Sequence, residues 1–299
     1  MKDFVLYCKS YSRDFLRLKR LLESVNQFNV DHLDFYISTP CADKTLLEEI
    51  LGATGYIWVS DEDIVQSNPS GDLIKYQSMP GGLSQQIIKS EFWRLGYAKN
   101  YLCLDSDSLF IREFYQSDFL TDMGIPYTVL HQNKELFQLA LNRGYDMVEK
   151  NLSLEAERVK KIFERNGPNF YCAPAPFIWS AKVWQSLDQE FMKPRGISIW
   201  ELITPLLPET LIYAEALLKY QAIPIVAIEP LFRTYHYDWQ YFLLRRLGER
   251  KDKLVKNYLG IIFQSNWDPD LDFGKPQKSL PSRFLRSVKR FGRYLQSFN

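Results

Sequence analysis

The sequence predicts an α/β fold, a mostly parallel central sheet flanked by helices. Short apolar runs of strand formers at residues 4–8, 33–37 and 56–59 are separated by stretches of helical spacing or by turn residues. All three runs precede Asp61, and a fourth compact run follows a further helical stretch at residues 101–104. Strands that alternate with helices pair in parallel, because each crossover helix returns the chain to the same edge of the sheet.

The first run leads through Lys9, Ser10, Tyr11, Ser12 and Arg13 into a helix with Phe15, Leu18, Leu21, Leu22 and Val25 on one face, and Ser12 or Asp14 stands where a cap belongs. Pro40 ends the second strand, and Asp43 takes the N-cap place ahead of Leu46, Leu47 and Ile50. Gly55 resets the chain for the third strand. Residues 61–82 are polar and rich in Ser, Pro and Gly, which predicts a surface loop near the sheet edge where α/β proteins bind ligands. A helix over 84–97 buries Leu83, Ile87, Ile88, Phe92 and Leu95 and ends by Gly96. It feeds the strand at 101–104, which stops on Asp105-Ser106-Asp107.

The second half is less regular. It predicts strands at 126–130 and 223–228, a charged helix at 152–165, an aromatic loop and strand at 169–180 leading into a helix from Ala181, and a helix at 209–220 introduced by Pro205 and Pro208. With no internal repeat and no linker, the expectation is one domain over 1–267 and a helical C-terminal extension over 268–299.

At 299 residues, 46% apolar and 24% charged, the chain buries a substantial core and is neither disordered nor fibrous. A formal net charge of +1 argues against a nucleic-acid partner. The charge is uneven: from Lys275 onward every charged residue is basic, so the preceding body is net negative. Phe284, Leu285, Val288, Phe291 and Leu295 follow helical spacing among Arg283, Arg286, Lys289, Arg290 and Arg293. That pattern predicts a basic amphipathic helix able to lie on an anionic membrane surface through residues 275–299. Cys8, Cys41, Cys103 and Cys172 form no C-x-x-C pair and read as thiols in a reducing compartment. The first apolar run is too short for a leader, and no run approaches 18 apolar residues. A cytoplasmic location is expected, peripheral to the inner face of the membrane if the tail docks there.

D-x-D triplets also occur at 61–63, 268–270 and 270–272, but only Asp105-Ser106-Asp107 directly follows an apolar strand in a β-α series. Side chains at i and i+2 share a face, so the two aspartates can converge on one hard cation, Mg²⁺ or Mn²⁺, that also binds substrate phosphates. Residues 101–110, preceded by Gln85, Gln86 and Lys89 on a helix, resemble the signature of GT-A-type glycosyltransferases that use nucleotide sugars, particularly the bacterial polysaccharide-associated group. The resemblance covers roughly residues 3–240 and is specific only around the D-x-D.

It implies a GT-A-like sheet, a nucleoside diphosphate sugar as donor, and a saccharide or lipid-linked glycan as acceptor. It makes Asp107 the principal metal ligand and Asp105 its partner, with His236, late in the domain, as the third ligand favouring Mn²⁺. Ser10, Tyr11 and Arg13 occupy the loop that cradles the nucleoside, Ser106 joins the donor site, and Gln85, Gln86 and Lys89 face the diphosphate from the preceding helix. Glu209, or next Glu215, is expected as the base that deprotonates the acceptor, if the reaction inverts. His131 and Trp179 are expected on the acceptor side. Two other readings stay open: a phosphohydrolase of haloacid-dehalogenase type, whose D-x-D ends the first strand rather than the fourth, and a non-catalytic module that keeps the pocket.

Overall fold

The computed structural model describes residues 1–171 and 176–264, together with Val288; the basic tail expected at 275–299 otherwise lies outside them. Four strands in parallel, β1 (Lys2–Lys9), β2 (Phe35–Thr39), β3 (Ile57–Ser60) and β4 (Ala98–Leu104), form the central sheet. β7 (Phe177–Ser180) adds an antiparallel edge, giving the order β3-β2-β1-β4-β7. The mixed α/β architecture and mainly parallel sheet match the expectation.

Strand alternation divides the core between the two faces of this sheet. Phe4, Leu6 and Cys8 of β1, with Leu102 and Leu104 of β4, pack against Phe15, Leu18, Leu21, Leu22 and Val25 of α1 (Phe15–Phe28) and Leu47 of α2 (Lys44–Leu51). Val5 and Tyr7 of β1, with Tyr101 and Cys103 of β4, face the opposite layer. That layer holds Ile64 and Val65 of α3 (Asp61–Gln66), Tyr76 of α4 (Leu73–Ser78), Ile87 and Ile88 of α5 (Gly81–Glu91), and the helices Ala181–Ser186 and Glu209–Tyr220.

Residues 61–82 are not a simple surface loop: they carry α3 and α4, and Asp61 is fully buried. Tertiary partners decide this. The Asp61 carboxylate pairs with Lys9 at 2.7 Å and accepts from the Tyr76 hydroxyl at 2.7 Å, so a polar segment becomes part of the core. α5 ends in a short 3₁₀ turn, Phe92–Leu95, closed by Gly96 at φ +67°. The charged helix of the second half runs over Met147–Ile162.

Two smaller sheets complete the described fold. β6 (Tyr127–Val129) and β8 (Val226–Ile228) pair in parallel where strands are expected. β5 (Ser108–Phe110), β10 (Gly260–Phe263) and β9 (Phe232–Tyr235) form a sheet in the order β5-β10-β9. No helix among the described residues is long and apolar enough to cross a membrane.

Candidate active site

Register places the site. Cys8 of β1 pairs with Leu104 of β4, so the two parallel strands end level and release residues 10–13 and 105–107 at the same edge. The backbone N–H of Ser10 donates to the Ser38 carbonyl at 2.9 Å, continuing the β1-β2 ladder one step into the loop. Asp43 does not cap α2 with its side chain; its carboxylate accepts the Ser12 N–H at 2.9 Å and ties down the loop instead. Neither Ser12 nor Asp14 caps α1 with its side chain, and Asp14 pairs with Arg17 at 2.7 Å.

These segments enclose a cavity of about 620 Å³. Ser10, Tyr11, Arg13, Gln85, Asp105, Ser106 and Asp107 line it, so seven of the residues singled out in the sequence meet there. Lys9, Tyr76, Gly81 and Gly82 line it as well, and sequence reasoning missed them. The position of Lys9 at the last residue of β1, directly before Ser10, was the available signal. Ser10 Oγ is buried and has no hydrogen-bond partner among the described residues. The Ser108 N–H donates to the Asp105 carbonyl at 3.0 Å, closing the turn that presents both aspartates.

Below the cavity lies a buried charge cluster. Lys89, on α5, is only 5% exposed; its ammonium donates to Asp105 Oδ1 and stands 3.8 Å from Glu209 Oε1. Burial alone would lower the Lys89 pKa, but the charges of Asp105 and Glu209 outweigh it and leave the ammonium held above its ordinary value. Burial raises the Glu209 carboxyl against the opposing pull of Lys89. Gln86 Oε1 accepts the Glu209 N–H at 3.3 Å, joining α5 to the first turn of the helix Glu209–Tyr220.

Several expectations are corrected by this geometry. Lys89 does not line the cavity, so it stands behind Asp105 rather than reaching for a phosphate, and Gln86 serves the neighbouring helix. Glu209 is buried against Lys89 and does not open on the cavity as a base. Glu215 is bound bidentately by Arg165 at 2.5 and 2.8 Å, a buried structural pair. Trp179 is 1% exposed and packs against Trp184 and Tyr213, so it belongs to the core and not to the acceptor side where it was expected.

His236 does not join the aspartates. Among the described residues no group of three or more His, Cys, Asp and Glu side chains is placed to hold a metal ion. It lies nearby all the same: Asp107 directly precedes β5, His236 directly follows β9, and β10 runs between them. Phe263 of β10 pairs with Tyr235 and donates its N–H to the Asp107 carbonyl at 3.4 Å. His236 and His131 line a second cavity of about 420 Å³. Burial, then the proximity of His131 and Arg233, lowers the His236 pKa to about 4, and burial lowers that of His131.

An α/β protein with a polar, carboxylate-bearing cavity at the C-terminal edge of a parallel sheet is the class these features define, the usual seat of a ligand in such sheets. The chain belongs to a family of unknown function, DUF6492, whose model matches residues 4–259. No curated protein sequence matches it. Among solved structures it is similar to a galactosyltransferase, LgtC, in complex with donor and acceptor sugar analogues, at 12% identity and a TM-score of 0.47, covering 97% of this chain and 95% of that one. It is also similar to mouse xyloside xylosyltransferase 1 in its apo form, at 9% identity and a TM-score of 0.44, covering 88% of this chain and 98% of that one.

Proposed function

We propose that the protein transfers a sugar from a nucleoside diphosphate sugar to a hydroxyl group of a saccharide or lipid-linked glycan, as its sequence signature implies. The observation that carries this reading is the convergence of Asp105, Asp107 and the 10–13 loop on one cavity at the C-terminal edge of β1 and β4. A cavity of about 620 Å³ suits a ligand of nucleotide-sugar size.

Each wall has a part in holding such a donor. The first turn of α5 reaches the cavity through Gly81, Gly82 and Ser84, and a helix N-terminus favours the negative charge of a diphosphate. Arg13 adds a guanidinium, and the exposed Tyr11 ring offers a face on which a base can stack. The unpartnered Ser10 Oγ is available to a ribose hydroxyl.

Asp105 and Asp107 would hold a divalent cation, Mn²⁺ or Mg²⁺. The fit rests on the donor set: hard carboxylate oxygens on one turn, with room in the cavity for phosphate oxygens to complete the shell. Such an ion, when bound, neutralises charge on the departing diphosphate. Lys89 acts as a positioning residue, fixing the Asp105 carboxylate from behind, and Glu209 shares that cation. His131 and His236 lie toward the acceptor side in this reading.

Incubation with a panel of nucleotide sugars, with Mn²⁺, with Mg²⁺ and with a chelator, tests the proposal. Metal-dependent consumption of one donor, by transfer or by slow hydrolysis, supports it. Release of inorganic phosphate from simple phosphate esters would favour the hydrolase reading, and nucleotide binding without turnover would favour a binding module.

A further inference from the structure

We infer that the cavity of about 420 Å³ between β9 and the helix Lys134–Leu141 binds a neutral saccharide, with Asn133 as its principal hydrogen-bonding group. The identification of that saccharide as the acceptor rests on the transferase reading above; the binding itself does not.

The first observation is Asn133. It stands at the N-cap position of the helix Lys134–Leu141, where asparagine ordinarily accepts a hydrogen bond from the first turn. Here it makes no such bond, and its backbone takes φ +51°, ψ +26°, a left-handed conformation uncommon outside glycine. Its Oδ1 is buried, with no hydrogen-bond partner among the described residues, although the residue is only 3% exposed. An unsatisfied buried amide oxygen is destabilising, and a bound hydroxyl group would satisfy it. Asn133 lines both this cavity and an adjoining one of about 280 Å³, and His236 is shared between them in the same way.

The second observation is charge. Among the described residues, Arg233 is the only lysine or arginine lining the larger of these two cavities, and its guanidinium is already committed. It binds Glu135 bidentately, at 2.5 and 3.0 Å, and Glu249 at 3.0 Å. Glu229 adds an exposed carboxylate to the lining. Among the described residues a phosphate, sulfate or uronate would therefore meet carboxylates without a spare cation, whereas vicinal hydroxyl groups can donate to Asn133 Oδ1 and to Glu229. Tyr258 lines the same space and can face the apolar side of a pyranose ring. The strand order β5-β10-β9 puts this cavity on the opposite flank of the small sheet from Asp107, with β10 between them.

Saturation-transfer NMR on the full chain tests the inference, with lactose and maltose as neutral probes and glucuronic acid as the anionic one. At least one neutral disaccharide should give a saturable signal, with glucuronic acid roughly tenfold weaker. Asn133→Gly removes the amide while glycine accepts the positive φ without strain, so the variant should fold and bind the disaccharide about tenfold more weakly. Glu229→Arg changes an exposed side chain and should shift preference toward glucuronic acid. Absence of a saturable neutral saccharide, equal binding by Asn133→Gly, or a charge preference unmoved by Glu229→Arg would overturn it. Nucleotide titration reads the transferase proposal separately, so a failure there would leave the saccharide site standing without its acceptor role.

Discussion

Lys89 and Asp105 form an ion pair that links α5 to the end of β4, with the ammonium almost wholly enclosed and the carboxylate facing the cavity. The pair explains how an acidic turn is held at a fixed place on a mobile class of structure, the loop edge of a sheet. Replacing Lys89 by methionine leaves Asp105 and Glu209 without their common cation. Removing one partner of a buried pair strands the other, so Lys89→Met should lose about 3 kcal/mol of unfolding free energy in urea titration. A loss below about 0.5 kcal/mol would show the pair to be incidental.

Glu215 and Glu209 should separate by experiment. Glu215 is held by Arg165 and is not among the residues that line the cavity, so Glu215→Gln should cost about 2 kcal/mol of stability and leave nucleotide affinity within roughly twofold. Glu209→Gln removes a charge beside Lys89 and is expected to weaken metal-assisted nucleotide binding through Asp105. Paired denaturation and nucleotide titration curves check both.

Tyr11 should matter to the ligand and not to the fold. Its ring is 42% exposed on the cavity wall, so Tyr11→Ala is expected to leave stability within about 0.5 kcal/mol. Loss of a base-stacking face should weaken nucleotide binding roughly tenfold, measured by calorimetry.

The pH dependence of stability carries the sign of His236. Its folded pKa, about 4, lies below the ordinary value of 6.5, because burial penalises the charged ring. The unfolded chain takes up a proton on this residue below about pH 6.5 while the folded chain does not until about pH 4. The stability it contributes is therefore fully present above pH 6.5 and is lost as pH falls through 4. A His236→Gln variant should show a flatter acid limb in urea titrations between those values, and NMR titration should find the parent imidazole neutral at pH 5.

Much of the site was legible because it follows from strand order. The apolar run at 101–104 fixed where Asp105 and Asp107 emerge, and parallel pairing brought residues 10–13 of the first loop beside them. The helical pattern around Ile87 and Ile88 placed Lys89 on α5, but no local signal told that its ammonium would be buried on Asp105. The same limit applies to Glu215, whose partner Arg165 lies 50 residues away. Asp61 looked like a solvated loop residue, since Lys9 and Tyr76, which enclose it, are remote in sequence. β5 is three residues long and is completed by β10 from the far end of the described chain, so its sheet left no readable periodicity.

The most direct test of the central claim is calorimetric titration of uridine and guanosine diphosphates into the full chain, in Mn²⁺ and in chelator, for the parent and for Asp107→Asn. The parent should bind at least one diphosphate about tenfold more tightly with Mn²⁺, and the variant should lose most of that gain. Equal affinity with and without the ion, or an Asp107→Asn variant that keeps the full enhancement, would contradict the account.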